Sequence, residues 1–217
     1  MKIAVLGTGT VGRTLAGRLT ELGHDVTVGT RDPGATATKE DYAAWAADRP
    51  GVALASFPDA AADADLVIHA SAGTAALDVL DAAGSANLAE KVLVDVSNPL
   101  DFSGGFPPTL SVKDTDSLGE QIQRAHPDAR VVKTLNTLTA ALMVHPETIS
   151  GESTVFVSGD DAAAKAVVVD LLTALGHADV VDLGGIATAR GTEMYLPLWL
   201  RLMGALGTAE FNIRVVR

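Results

Sequence analysis

The chain contains no cysteine, few aromatic residues and fewer basic than acidic side chains. It has 217 residues, of which none is cysteine and 4% are aromatic. The absence of cysteine excludes disulfide bonds, thiolate metal sites and cysteine nucleophiles. Lysine and arginine total 16 while aspartate and glutamate total 27, which gives a net charge of −11. So acidic a chain lacks the basic face that nucleic acids and anionic membranes require, and any anionic ligand needs a local site.

Long apolar runs are also lacking. The most apolar late stretch, residues 196–206, contains Arg201 and is far shorter than the about 18 to 20 residues of a membrane span. The start at Met1 runs through a short apolar segment straight into glycines, which is typical of a strand and a turn rather than of a signal peptide. We therefore expect a cytoplasmic protein with neither a membrane nor a nucleic-acid partner.

What the chain has in abundance is apolar residues, at 47%, enough for a packed core. Short apolar runs alternate with segments of helical spacing up to residue 137. The predicted strands are residues 3–6, 26–29, 52–56, 66–70, 91–96 and 130–133. The predicted helices are residues 11–22, 41–47, 74–83 and 117–124, and residues 32–39 and 97–115 are expected to be loops. This alternation predicts an α/β fold with a doubly wound parallel sheet.

The pattern changes after residue 137. The remaining predicted elements are a helix at 139–144, a strand at 154–158, a helix at 161–175, a strand at 179–183 and a helix at 186–206. We divide the chain into a dinucleotide-binding Rossmann domain, residues 1–137, and a small C-terminal helical cap, residues 138–217. The sequence leaves open whether the second part extends the sheet or packs on it as a separate unit.

The strongest motif is a G-x-G-x-x-G turn between the first strand and the first helix. Its members are Gly7, Thr8, Gly9, Thr10, Val11 and Gly12. The first glycine permits a tight turn, the second lets a pyrophosphate approach the backbone, and the third lets helix and strand pack closely. The phosphates then face free N–H groups at the start of the helix. The motif predicts a dinucleotide site.

The end of the second strand indicates which dinucleotide binds. NAD enzymes usually carry a carboxylate there for the ribose 2′-hydroxyl. This chain has Thr30 and Arg31, whose hydroxyl and guanidinium suit a 2′-phosphate, although Asp32 follows and would favour NAD if it turned inward. We therefore predict NADP as the cofactor.

Ligands of such sheets gather at the carboxyl ends of the strands. The residues that follow the fourth, fifth and sixth predicted strands are our candidates to contact the ribose and nicotinamide. They are Ala70, Ser71 and Ala72, then Asn98, then Asn136 and Thr137. Local turn capping is the alternative role for the asparagines and the serine.

No acid, base or metal ligand set stands out. Hydroxy-acid dehydrogenases use a histidine or lysine at the carbonyl. His69 ends a predicted strand and is expected to be half-buried there, His145 is a candidate to line a cleft between the two units, and Lys133 closes a strand. We assign no catalytic residue and no metal site. Hydride transfer between two stacked rings needs only the alignment of cofactor and acceptor.

Four segments together resemble the NADPH-dependent reductases of the deazaflavin coenzyme F420, and the resemblance covers nearly the whole chain. The segments are residues 1–12, 28–31, 132–137 and 190–217. Related oxidoreductase domains occur in membrane-bound metalloreductases. The resemblance implies a Rossmann domain with a small cap, NADP(H) along the strand ends, and direct hydride transfer to an acceptor ring stacked on the nicotinamide. The chain differs from the archaeal reductases in its 97–115 loop and at residues 135–137.

The leading interpretation is an NADP-dependent oxidoreductase whose partner is a small-molecule redox acceptor, either a deazaflavin or a flavin. One alternative is a dehydrogenase or imine reductase for a small carbonyl or imine substrate, with Lys133 or His145 as the acid. Another is an NADP-binding sensor without catalytic activity. The apolar C-terminal helix favours a homodimer.

Overall fold

A sheet of eight strands organises the computed structural model, which describes residues 1–217. The strands are β1 (Lys2–Leu6), β2 (Asp25–Thr30), β3 (Ala53–Ser56), β4 (Leu66–His69), β5 (Val92–Asp95), β6 (Leu100–Asp101), β7 (Thr109–Leu110), β8 (Arg130–Thr134), β9 (Thr154–Ser158) and β10 (Asp179–Asp182). Their order across the sheet is β10-β9-β8-β5-β4-β1-β2-β3, and β6 and β7 pair only with each other. Each strand of the large sheet begins and ends within about one residue of its predicted bounds.

Six neighbouring strands of the large sheet are all parallel; in their order across the sheet they are β8, β5, β4, β1, β2 and β3. β9 is antiparallel to β8, and β10 is parallel to β9. The doubly wound sheet is thus confirmed, and both strands of residues 138–217 extend it. The connection between β8 and β9 contains the short helix α8 (Ala140–Val144) and a 3-10 turn at Pro146–Thr148. The division into two domains at residue 137 stays a prediction.

Helices cover both faces of the sheet. Besides α8 they are α1 (Thr10–Glu21), α2 (Pro33–Ala37), α3 (Glu40–Ala47), α4 (Phe57–Ala62), α5 (Ala76–Ala83), α6 (Ser85–Leu88), α7 (Leu118–Ala125), α9 (Ala162–Ala174), α10 (Ala189–Met194) and α11 (Leu196–Leu206). One core lies under α1, α8 and α9, and the other under α4, α5 and α7. Strand residues alternate between the two cores, so Ile68 joins the first and Val67 the second.

Three short helices were not predicted. Residues 32–39 were expected to be a loop, but Asp32 accepts a hydrogen bond from the N–H of Ala35 and caps α2. Ser56 caps α4 in the same way by accepting from the N–H of Asp59. Each cap precedes a proline in the first turn, a known signal for a helix start. The third, α6, has only four residues and no side-chain cap.

The predicted long helix at 186–206 is broken into a 3-10 turn and the two helices α10 and α11. Pro197 lacks an N–H and cannot bond the carbonyl of Glu193, so the helix divides at Tyr195. The expected 97–115 loop contains the β6–β7 hairpin. No helix is both long and apolar enough to cross a bilayer.

Candidate functional site

The turn after β1 has the geometry that the glycine motif predicts. Gly7 has a φ of +140°, and a Cβ there would lie 2.5 Å from the carbonyl oxygen of Ala70. A Cβ on Gly12 would collide with the carbonyl oxygen of Gly7. Both positions therefore require glycine for close backbone packing. Gly9 differs, because a Cβ there would meet nothing within 4 Å, so the space in front of it is open to a ligand.

The start of α1 offers free hydrogen-bond donors to that space. Gly9 is the N-cap residue, and no side chain caps the helix. The first N–H groups of a helix have no partner within it, so those of Thr10, Val11 and Gly12 face outward. Together with the positive end of the helix dipole they form a site suited to a diphosphate.

At the end of β2 the structure separates the two charges on which cofactor choice depends. Arg31 is exposed and has no ion-pair partner, whereas Arg13 nearby on α1 pairs with Asp41. The carboxylate of Asp32 is turned toward its own helix, where it accepts the bond from Ala35. Thr30 is buried beside Arg31, and its Oγ1 lies 2.8 Å from Oγ1 of Thr36. The free charge at this end of the sheet is therefore a guanidinium.

The loops after β1, β4 and β5 meet at the carboxyl edge of the sheet. Ala70 is buried, Ser71 is half-buried and Ala72 is exposed. The N–H of Ala70 donates to the carbonyl of Leu6, which ties the end of β4 to the glycine turn. A Cβ on Gly73 would collide with the carbonyl oxygen of Asn98, so these two loops touch as well.

Asn98 and Asn136 form a reciprocal pair between the loops after β5 and β8. Nδ2 of Asn98 donates to the carbonyl of Asn136 at 2.7 Å, and Nδ2 of Asn136 donates to Oδ1 of Asn98 at 2.9 Å. Leu135 before it has a φ of +58°, and Thr137 after it is buried. The two side chains thus stabilise the turns that follow β5 and β8, and their bonds also place both residues at the candidate site. Their contact with a cofactor stays a prediction.

Beneath these loops lies a chain of buried polar side chains that runs from α10 to the surface. We call it the buried relay, and its members are Glu193, Lys133, Asp95, His69 and Ser71. Lys133 Nζ lies 2.9 Å from Glu193 Oε1 and 2.7 Å from Asp95 Oδ2. Asp95 Oδ1 lies 2.9 Å from His69 Nδ1, and His69 Nε2 lies 2.6 Å from Ser71 Oγ. The side chains of Lys133, Asp95 and His69 are all 0% exposed.

The hydrogen bonds of the relay are nearly complete. The ammonium of Lys133 has a third acceptor, the carbonyl of Ser97, at 2.6 Å. Oxygens of Glu193 accept from the N–H groups of Leu118 and Gly119 at the start of α7. Three donors on lysine therefore meet three acceptors, which is the condition under which buried charges are tolerated.

The charges of the relay set each other's protonation. Burial alone would raise the pKa of Asp95, but the Lys133 ammonium and the hydrogen bond from His69 outweigh it and hold that pKa well below its usual range. Burial alone would lower the pKa of Lys133, but Asp95 and Glu193 raise it above its ordinary value. Both groups are thus charged at neutral pH. An ionised Asp95 accepts only, so the proton on this side of His69 lies on Nδ1.

The sequence did not reveal the relay as a unit. His69 was expected to be half-buried and is fully buried. Asp95 and Glu193 were not singled out, although a carboxylate that ends the apolar run of β5 was a usable signal. Lys133 was weighed as a catalytic acid, but its three bonds hold it inside the protein. His145 lies elsewhere, beside Glu147, and lines a surface pocket with residues of α1.

A second cavity lies next to the loop that follows Asn98. It has a volume of about 400 Å³ and is enclosed by the β6–β7 hairpin on one side and by α10 and α11 on the other. Its apolar lining includes Leu110, Met194 and Pro197, and its charged lining includes Lys113 and Arg201. The hairpin also contacts the 3-10 turn at 73–75, just after Ser71.

Comparison with known proteins gives this site a family. Residues 2–99 match the family model described as NADP oxidoreductase, coenzyme F420-dependent. A crystal structure of a candidate F420-dependent NADP reductase from Arthrobacter sp. FB24 is 61% identical, and each chain covers 100% of the other with a TM-score of 0.98.

Two curated relatives extend the comparison. The F420-dependent NADP reductase of Methanocaldococcus jannaschii is 27% identical over 93% of this chain and 92% of its own. The metalloreductase STEAP3 of Rattus norvegicus is 31% identical over 91% of this chain, which spans only 38% of that protein. The glycine turn, the free donors of α1 and the unpaired Arg31 fit NADP, the nucleotide named by the family model and by the two reductases. The chain belongs to the F420-dependent NADP oxidoreductase family, and it is an NADP-dependent oxidoreductase.

Proposed function

We propose that this protein transfers hydride directly between NADP(H) and a deazaflavin of the coenzyme F420 type or a flavin-type acceptor. The observation that carries the proposal is the 61% match over the full length to a candidate F420-dependent NADP reductase. The curated archaeal relatives of that name also align along most of their length. The site described above supplies the features that such a reaction needs from the protein.

The carboxyl edge of the sheet would hold the nucleotide. We propose that Gly7 to Gly12 bind the diphosphate through N–H groups, with Thr8 completing the turn. Thr30 and Arg31 would bind the 2′-phosphate. The ribose and nicotinamide would contact the loop residues Ala70, Ser71, Ala72, Asn98, Asn136 and Thr137. When bound, NADPH supplies a hydride, and the residues of this chain only have to hold and align it.

The cavity beside the hairpin is our candidate for the acceptor. It adjoins the loop after β5, on the side of the sheet where the nicotinamide is expected. Its walls combine apolar side chains with two cationic residues, Lys113 and Arg201, and one acidic residue, Asp114. Apolar walls suit a flat ring, and Lys113 and Arg201 suit anionic groups attached to it.

Stopped-flow oxidation of NADPH tests the proposal. We expect turnover to require a deazaflavin or a flavin, and Arg201→Ala to raise the KM of the acceptor severalfold without changing that of NADPH. Arg214→Ala is the matched control, because Arg214 is also an exposed arginine but pairs with Glu152 and does not line the cavity. Turnover of a small ketone or imine without any flavin would contradict the proposal. Tight NADPH binding without oxidation by any acceptor would contradict it equally.

We further propose a homodimer built on α11. Only Leu196 of this helix is buried, while Leu198 and Leu206 are 55% and 57% exposed. So much apolar surface on one helix is typical of an interface. Sedimentation equilibrium should give twice the mass of one chain, and Leu198→Glu should shift the mass toward that of a monomer. A monomeric parent protein would contradict this part.

A further inference from the structure

The buried relay ends at a hydroxyl on the proposed site, and the family's reaction as described above gives it no task. Ser71 Oγ, His69 Nε2 and Nδ1, and Asp95 Oδ1 follow one another at 2.6 and 2.9 Å. The same order of groups activates hydroxyls in many enzymes, where the carboxylate orients the imidazole and the imidazole exchanges a proton with the hydroxyl. Only Ser71 is partly exposed, so it is the point at which the relay reaches the surface.

The position of Ser71 is central to the proposed site. It directly follows β4, whose neighbour in the sheet is β1, so the two loops that flank the switch point are its own and the glycine turn. A Cβ on Gly7 would lie 3.0 Å from the N–H nitrogen of Ser71. The hairpin that encloses the acceptor cavity touches the turn just after it.

The charge of the His69 ring determines whether the Ser71 hydroxyl proton points into the protein or toward the proposed site. With a neutral ring, Nδ1 keeps its proton toward ionised Asp95, so Nε2 accepts and the Ser71 hydroxyl points inward. With a protonated ring, Nε2 donates to Ser71 Oγ, and the hydroxyl proton is free to point outward. Ser71 then has one acceptor within the protein, the carbonyl of Ala72, at a long 3.4 Å. The relay thus has two states that differ by one proton at the surface.

We propose that Ser71, backed by His69 and Asp95, is the acid and base that exchanges a proton with the acceptor during hydride transfer. This rests on the proposed function. Addition of a hydride gives a deazaflavin two electrons and one hydrogen at a ring carbon, and gives a flavin the same at a ring nitrogen. In either acceptor a second, conjugated ring nitrogen still needs a proton. Ser71 Oγ gives that proton and takes one from His69 Nε2, which leaves the ring neutral while Asp95 stays ionised. Solvent then returns one proton to His69, so one proton is consumed for each acceptor reduced. Oxidation of the reduced acceptor runs the same steps backward.

The groups around His69 limit what else can titrate with it. Asp95 comes from β5, Lys133 from β8 and Glu193 from α10, and the register partner of His69 on β1 is the apolar Leu6. The start of α7 contributes N–H groups to Glu193. The remaining charged pair on this face, Glu120 with Arg190, is self-compensated. With Asp95 and Lys133 both charged, the proton that moves belongs to the imidazole.

Ser71→Ala is the direct test, and the chain provides a matched control. Ser85 Oγ lies 3.1 Å from Nδ1 of buried His126, whose Nε2 lies 3.5 Å from Asp81, so the same three residue types meet near the amino ends of the strands. We expect Ser71→Ala to raise the Kd for NADPH by less than about tenfold, because Ser71 is only one of the residues proposed to contact the ribose and nicotinamide. The single-turnover rate with a deazaflavin should fall roughly 10²- to 10⁴-fold, the range of a lost general acid. Ser71→Thr should restore most of the rate, and Ser85→Ala should change neither quantity.

Two further readouts separate a proton donor from a residue that only binds. Nitrogen NMR of the imidazole in the nucleotide-free protein should place a proton on Nδ1 of His69, toward Asp95, as the relay requires. The rate of acceptor reduction should fall and the reverse rate should rise with increasing pH, because one proton is consumed for each acceptor reduced. Ser71→Ala should remove both dependences.

The outcomes are distinct. If the wild-type protein turns over and Ser71→Ala has the same single-turnover rate, the relay is overturned and the proposed function stands. A Kd for NADPH raised more than about tenfold, with the rate at saturation unchanged, means that Ser71 only binds the nucleotide, and this also overturns the relay. A wild-type protein that reduces no deazaflavin or flavin overturns the proposed function, and the relay falls with it.

Discussion

Replacement of Arg31 by alanine is the sharpest test of how the site selects its nucleotide. Arg31 is exposed and unpaired, so the substitution removes a free guanidinium and breaks no internal contact. A charge-assisted hydrogen bond of this kind contributes about 1.5 to 3 kcal/mol. At about 1.4 kcal/mol per factor of ten, the KM for NADPH should rise roughly tenfold to a hundredfold. The KM for NADH should stay nearly constant, because that nucleotide has no 2′-phosphate to lose.

The assay compares both nucleotides in initial-rate kinetics at low and at high salt. Since Arg31 is exposed, added salt should reduce the difference in the KM for NADPH between the parent protein and Arg31→Ala. Arg217→Ala is a suitable control, because this exposed arginine pairs with Asp179 far along the chain. Asp32→Asn keeps a residue that can cap α2 and removes the carboxylate charge. Equal losses for NADPH and NADH in Arg31→Ala, or a switch of preference in Asp32→Asn, would refute the assignment of these two side chains.

Three other substitutions have defined outcomes. Gly12→Ala forces a Cβ against the carbonyl oxygen of Gly7. It should lower the unfolding free energy by roughly 1 to 3 kcal/mol, and with it the melting temperature, and it should also weaken NADPH binding. Gly9→Ala meets open space and should lower only the affinity measured by calorimetry; a matching loss of stability would contradict the open cradle. Lys133→Met strands a buried carboxylate at Asp95 and should cost about 3 to 5 kcal/mol in urea unfolding. Without the lysine, burial should raise the pKa of Asp95 above its unfolded value, so the deficit should shrink as pH falls; a deficit that grows toward acid would show that the pair is not charged.

In the parent protein the contribution of Asp95 to folding stability changes with pH in the opposite direction from that in Lys133→Met. The pKa of Asp95 is lowered in the folded state, so its contribution to stability is complete above the unfolded pKa of about 4 and is lost as pH falls below it. The pKa of Lys133 is raised, so its contribution is complete below the unfolded value of about 10 and is lost at higher pH. Between these limits the pair should add no slope to a plot of unfolding free energy against pH.

The sequence predicted the sheet because its signals are local. An apolar run such as Ile3 to Leu6 is long enough for a buried strand. The glycines that follow it indicate the tight turn between a strand and a helix that binds a dinucleotide. The same local logic failed where an element is held by its ends alone. The helix α2 has five residues and little apolar periodicity, and the bond from Ala35 to Asp32 defines its start.

The candidate site divides in the same way. The glycine turn and Arg31 could be located by their distance from predicted strands. The relay could not, because its members come from three strands, a loop and α10, between residues 69 and 193. A lysine that closes β8 and an aspartate that closes β5 have no visible relation until the order of strands makes them neighbours.

That neighbour relation also explains why buried charge and the glycine turn occur at one edge. Parallel strands end together, so residues at or next to the ends of β4, β5 and β8 are adjacent in register: His69 lies opposite Asp95, and Asp95 lies opposite Lys133. Glu193 from α10 completes the set and links the C-terminal helices to the sheet through Lys133. Since an unpaired buried charge would cost several kcal/mol, the ion pair between Lys133 and Glu193 holds α10 against the sheet. α10 therefore contacts both the buried relay, through Glu193, and the cavity beside the hairpin, through Met194.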